Sequence, residues 1–110
     1  MKKINADFIR LSDILSAIKD IEEFYQTSGL EDRKTVMATS YLIAIIGEAA
    51  NKISAEITDK YSDIPWKKII GMRHRIIHDY GNVDVQNLEQ AIVHDLVVLK
   101  SQIEIILKNI

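Results

Sequence analysis

Residues 4–25 read INADFIRLSDILSAIKDIEEFY, and the positions of their apolar side chains decide the fold class. Ile4, Phe8, Leu11, Leu15, Ile18, Ile21 and Tyr25 recur at steps of three and four, which aligns them on one face of an α-helix. Ser28-Gly29 closes this helix, because Gly accepts the left-handed backbone found just past a helix end. The same steps return near the other end of the chain in Leu88, Ile92, Leu96, Leu99, Ile103 and Ile106, with Asp84 as N-cap. Between them, a second helix is predicted over residues 31–54, with Glu31 and Asp32 suiting its positive dipole end. Its middle, Tyr41 to Ile46, is apolar on every face and marks the most buried helix. Gly47 inside it costs about 1 kcal/mol relative to Ala, which points to close packing at that position. Residues 55–62 read as a short helix or irregular connector. Asp63-Ile64-Pro65 then opens a third long helix that reaches Tyr80 and stops at Gly81-Asn82. Twenty Ile favour strands on propensity, but their spacing is helical, and four Gly and one Pro leave few turns for an all-β domain. The expectation is a single all-α domain over residues 1–110, an up-and-down bundle of four main helices plus a short connecting helix.

Composition narrows the function classes. The 110 residues carry 14 Lys+Arg against 16 Asp+Glu, a formal net charge of −2, so the whole molecule has no general attraction for nucleic acid. The absence of Cys excludes disulfides and thiolate metal sites and fits an intracellular, cytoplasmic protein. The longest apolar run, Tyr41–Ile46, is six residues, where a membrane span needs roughly 20. Asp7, Arg10 and Asp13 interrupt any signal-peptide stretch after Met1-Lys2-Lys3. One segment departs from the acidic balance: residues 65–80 hold Lys67, Lys68, Arg73 and Arg75 against Asp79 alone.

On a continuous helix wheel with Trp66 at zero, Ile70, Ile77 and Tyr80 fall within about 40° of it, and Arg73 lies at about −20°, inside the apolar stripe. An Arg there needs a partner, since a buried unpaired charge is costly, and Glu48 of the central helix is a candidate. His74 and His78 are four apart and share a face. They lack a third ligand, because Lys67, Gly71 and Arg75 beside them supply none, so no metal or other cofactor is expected. Arg presents a fixed fork of donors to phosphate oxygens, and His is an acid or base near neutral pH. Together they suit phosphodiester chemistry. A straight helix would hold Arg73 and His78 about 140° apart, so the site requires distortion before Gly81 or two subunits facing across a two-fold axis. Arg75 and His74 are assigned as supporting or RNA-contacting residues, Lys67 and Lys68 as phosphate-tracking ones, and Trp66 as a packing anchor.

The run IPWKKIIGMRHRIIHDYGNVD at 64–84, preceded by IGEAANKIS at 46–54, resembles the HepT-like branch of the HEPN superfamily. These are small helical toxins encoded beside a minimal nucleotidyltransferase (MNT) antitoxin. The family's element of Arg, four to six residues, His, one residue and Tyr is matched by Arg73, His78 and Tyr80, and the similarity runs through essentially the whole chain. The resemblance implies a homodimeric, cytoplasmic, metal-independent endoribonuclease of a type II-like toxin–antitoxin system. Arg73 would bind the scissile phosphate and His78 would act as acid or base while a ribose 2′-hydroxyl attacks, leaving a 2′,3′-cyclic phosphate. It further implies that the antitoxin adenylylates Tyr80 (AMPylation) and so silences the toxin. An alternative from the same residues is a non-catalytic helical partner and regulatory substrate of the nucleotidyltransferase, with Arg73 binding nucleotide phosphates. A third is a bare dimerisation bundle with a buried Arg73 ion pair.

Overall fold

The computed structural model describes residues 2–110, and the side chains of all of these except residues 2–5 and Tyr80. Helix α1 spans Lys2–Ser28 and ends where Gly29 takes a φ of 66°. Its inward face is Asp7, Leu11, Ile14, Ala17, Ile18 and Ile21. Phe8 is exposed and Leu15 and Tyr25 are half-buried, so the true stripe is rotated slightly from the expected one. Asp7 is the reason an inward position is polar. Its two carboxylate oxygens accept from the Ser54 backbone N–H at 2.9 Å and from the Ser54 hydroxyl at 2.6 Å, which satisfies the buried group. One turn on, the Arg10 guanidinium donates to the Lys52 carbonyl at 3.0 Å, pinning α1 to the end of the next helix.

Helix α2 (Arg33–Asn51) starts from Asp32, whose side chain accepts from the Lys34 N–H, and is shorter at both ends than the predicted 31–54. The stretch Tyr41–Ile46 is not buried on every face as expected: Ile43 and Ile46 are buried, Leu42, Ala44 and Ile45 are half-buried and Tyr41 stands exposed. The helix packs along α1 on one side and on α4 and α5 on the other. Gly47 explains the closeness of the second contact. A Cβ built there would lie 3.2 Å from the Ile70 carbonyl oxygen and 3.6 Å from that of Ile69. Helix α3 (Ala55–Lys60) is the short connecting helix. The third main helix is not continuous: α4 (Trp66–Ile70) and α5 (Met72–Ile76) meet at Gly71. Trp66 is buried and its Nε1 donates to the Tyr61 carbonyl at 3.1 Å, the anchoring role expected of it.

The last main helix is α6 (Val85–Gln90), a π-helical turn (Ala91–Asp95) and α7 (Leu96–Lys108) in succession. In the wide turn the Leu96 N–H donates to the Ala91 carbonyl. Asp84 caps α6 by accepting from the Asn87 N–H, as predicted. All six apolar positions predicted to face inward, Leu88 through Ile106, are buried. The fold is therefore the expected all-α bundle of four main helical segments with a short connector, and among the described residues the only extended pairing is an isolated bridge between Ile77 and Val83. No described helix is long and apolar enough to cross a membrane.

Adding a branched side chain at Gly47 must push α2 off the α4 backbone. Gly47→Val is expected to cost about 1–3 kcal/mol, read as a lower urea midpoint; an unchanged midpoint would mean that α4 moves away without loss.

Candidate active site

The third helix was expected to run to Tyr80, and it stops at Ile76. Ile77 turns extended, with φ −107° and ψ 119°, and His78 follows at φ −102° and ψ −171°. Two short backbone bonds hold this departure. His78 N–H donates to the Asn82 carbonyl at 2.7 Å, and Asp84 N–H donates to the Ile76 carbonyl at 2.7 Å. The Asn87 side-chain amide donates to the Arg75 carbonyl at 3.1 Å, so α5 does not end with that oxygen unpaired. Between the strand-like pair, Asp79–Gly81 forms one 3₁₀ turn, which Gly81 completes with a φ of 75°.

This departure from the helix sets Arg73 and His78, which a straight helix would hold about 140° apart, along one depression. Arg73 and His74 from α5 and Ile77, His78, Asp79 and Gly81 from the following loop line one open, mostly polar depression of about 620 Å³. Arg73, His74 and His78 are all exposed to solvent. The depression thus gathers a guanidinium, two imidazoles and one carboxylate from a stretch of nine residues, 73–81. Ile77, Asp79 and Gly81 were not assigned to the site: the sequence places Ile77 in the apolar stripe, Asp79 as the one acid of the basic segment and Gly81 as a helix stop, and only the end of α5 at Ile76 puts them on this wall.

Several expectations need correction. Arg73 does not lie at the centre of a buried stripe. The buried face of α4 and α5 is Trp66, Ile69, Met72 and Ile76, and Gly71 interrupts the helix before Arg73, so the two pieces do not share one continuous wheel. Glu48 is exposed, and among the described residues no ion pair joins it to Arg73. Lys67 lines a different hollow beside Trp66. Lys68 pairs with Asp95 at 3.4 Å at the rim of a narrow apolar pocket that also includes His94. Arg75 is exposed but lies back over Gly71, its Nη1 3.7 Å from where a Cβ would stand. The basic segment therefore points in several directions, and among the described residues Arg73 is the one Lys or Arg lining the depression. The Tyr80 side chain lies outside the described residues; its backbone belongs to the Asp79–Gly81 turn. Among the described residues no three His, Asp or Glu side chains group as metal ligands do.

The family described as ribonuclease HepT-like matches residues 14–106, which includes the whole depression. The chain belongs to the HepT-like ribonuclease family. A Thermococcus cleftensis protein named "Probable ribonuclease HepT" is 36% identical over 108 residues, covering 94% of this chain and 96% of the relative. A Methanocaldococcus jannaschii protein provisionally named as an RNase is 34% identical over 104 residues, covering 91% of this chain and 90% of that one. No solved structure matches the chain. For this HepT-like protein, then, the resemblance drawn from residues 46–54 and 64–84 is correct at the level of the family, and the motif residues Arg73 and His78 share one depression.

An exposed Arg without an ion pair contributes little to folding. Arg73→Met is expected to shift stability by less than about 0.5 kcal/mol in urea denaturation. A loss of about 3–5 kcal/mol, the cost of breaking a buried pair, would contradict this placement and restore the bundle with a buried ion pair.

Proposed function

We propose that this HepT-like protein is the toxin of a type II-like toxin–antitoxin system and cleaves RNA without a metal, using Arg73 and His78 on one phosphodiester. The observation that carries the reading is the convergence of Arg73 and His78 in one solvent-open depression, inside a chain that belongs to a ribonuclease family. Arg73 holds the non-bridging oxygens of the scissile phosphate and stabilises the charge that grows on them. His78 takes the proton of the 2′-hydroxyl as that oxygen forms its bond to phosphorus. The bond from phosphorus to the 5′-oxygen breaks, leaving a 2′,3′-cyclic phosphate on one product. The departing oxygen needs a proton, and His74 is the other imidazole lining the depression. DNA lacks the nucleophile and is not a substrate.

The protein acts in the cytoplasm as a homodimer. A homodimer is what the resemblance to the family implies, and Tyr41, 67% exposed, and Ile9, 60% exposed, are large apolar side chains available to a second copy. Regulation follows from the place of Tyr80 in the chain. Its backbone lies in the turn between Asp79 and Gly81, both of which line the depression. An MNT-type nucleotidyltransferase antitoxin would transfer AMP from ATP to the Tyr80 phenol with release of pyrophosphate. The new phosphodiester brings an anion to the mouth of the Arg73 site and competes with RNA for it.

Wild type, His78→Ala and Tyr80→Phe are to be compared on a defined RNA in EDTA. Wild type is expected to cut; His78→Ala is expected to lose about 10²–10⁴-fold in rate; Tyr80→Phe should keep cutting and refuse AMP. Equal rates for wild type and His78→Ala would remove His78 from the chemistry. RNA left intact by every form, together with tight nucleotide binding that depends on Arg73, would favour the non-catalytic partner reading.

A further inference from the structure

Gly81 faces two hollows. It closes the Arg73–His78 depression, and it also lines a neighbouring one of about 390 Å³. A Cβ built on Gly81 meets nothing within 4 Å, so the one residue common to both hollows faces open space. The second hollow is of mixed character: Leu30, Val36, Met37 and Val83 form an apolar part of its lining, the floor, and Arg33, Glu31 and Asn82 line it as well. Met37 is 59% exposed, a large apolar side chain standing in water at the edge of this floor. Arg33 is exposed at the first position of α2, and among the described residues it forms no ion pair.

An apolar floor with one guanidinium at its edge, beside a phosphodiester-cleaving site, has the chemistry of a nucleotide subsite. Leu, Val and Met side chains pack against the apolar face of a base, and an exposed Arg takes the adjoining phosphate. We infer that this hollow binds the nucleotide next to the scissile phosphate, with the base on the Leu30–Val36–Met37–Val83 floor and Arg33 on the flanking phosphate. Glu31 limits the occupant: its carboxylate repels a second phosphate and accepts from the N–H donors of a base edge. Arg33 is thus a substrate-positioning residue some forty positions before the motif, and RNA longer than the two nucleotides around the cut is held better than a minimal substrate. This inference rests on the RNA-cleaving reading above.

The test uses a 2′-O-methyl oligoribonucleotide, which binds but lacks the nucleophile, and follows fluorescence anisotropy at several salt concentrations. Wild type is compared with Arg33→Ser and with Lys19→Ser, which removes the same charge from an exposed position on α1. Arg33→Ser is expected to weaken binding roughly tenfold, the size of one lost charge-assisted contact. It should also flatten the plot of log Kd against log salt by about 0.7, as for one lost phosphate contact on a single strand. Lys19→Ser should match wild type. If wild type binds RNA and the two variants fall together with it, the subsite is overturned while the RNA reading stands. If wild type binds no RNA, the RNA reading itself is lost. Sedimentation of the same proteins and of Met37→Ser supplies the remaining arm. A change in oligomeric state in Met37→Ser or Arg33→Ser would assign this floor to a second copy of the chain and overturn the subsite.

Discussion

The backbone tie between residues 76–78 and 82–84 is the constraint on which the site depends. Asp84 N–H to the Ile76 carbonyl and His78 N–H to the Asn82 carbonyl, each at 2.7 Å, make an α-helix beyond Ile76 impossible. A helix continued past Ile76 would carry His78 about 140° around the axis from Arg73. With these two bonds, the chain leaves the helix axis, crosses one 3₁₀ turn and returns to cap α6 through Asp84. A helix end and a helix start are joined by a loop whose two sides bond to one another, and the depression is the space beside that loop. The unsatisfied groups that a helix terminus normally presents are met by this pairing and by the Asn87 amide, so the exit from helix geometry leaves few polar groups without partners.

That loop is held in place from the core side. Gly47 lets α2 approach the carbonyls of Ile69 and Ile70, while Ile69, Met72 and Ile76 turn inward. Arg73 and His74 follow Met72 on a helix whose buried face is fixed, so both stand on its solvent side. The rigid half of the site is thus set by packing and the other half by backbone hydrogen bonds. Such a division suits an enzyme that must hold a phosphate firmly and admit a flexible RNA strand from an open side.

Much of the fold was legible because helical periodicity survives local irregularity. The inward set from Leu88 to Ile106 was correct through a π turn that no residue in the sequence announces. Gly29 as a helix stop, Asp84 as a cap and Gly47 as a close contact were read from residue chemistry, and each has the predicted cause. The third helix was misread for two reasons. A wheel that runs unbroken from Trp66 gives Arg73 a buried place, because it carries α4 straight through Gly71, where the helix is interrupted before Arg73. The end at Ile76 was invisible because Ile77 and His78 carry no breaker; the stop is imposed by pairing with residues 82–84, a contact beyond the reach of local propensity. For the same reason, the sequence could state that Arg73 and His78 needed distortion or a two-fold axis to meet, but not that the chain leaves the helix at Ile76. Lys67, Lys68 and Arg75 illustrate the remaining gap: a run of basic residues is a property of the sequence, and the direction each one points is a property of the packed helix.

The central claim is that Arg73 and His78 address the same RNA phosphate. A structure of the protein with an oligoribonucleotide blocked by a 2′-O-methyl group at the cleaved position tests it directly. The account predicts one phosphate within about 3 Å of the Arg73 guanidinium, with the blocked 2′-oxygen facing the His78 imidazole. RNA bound with no phosphate in the Arg73–His78 depression would contradict it.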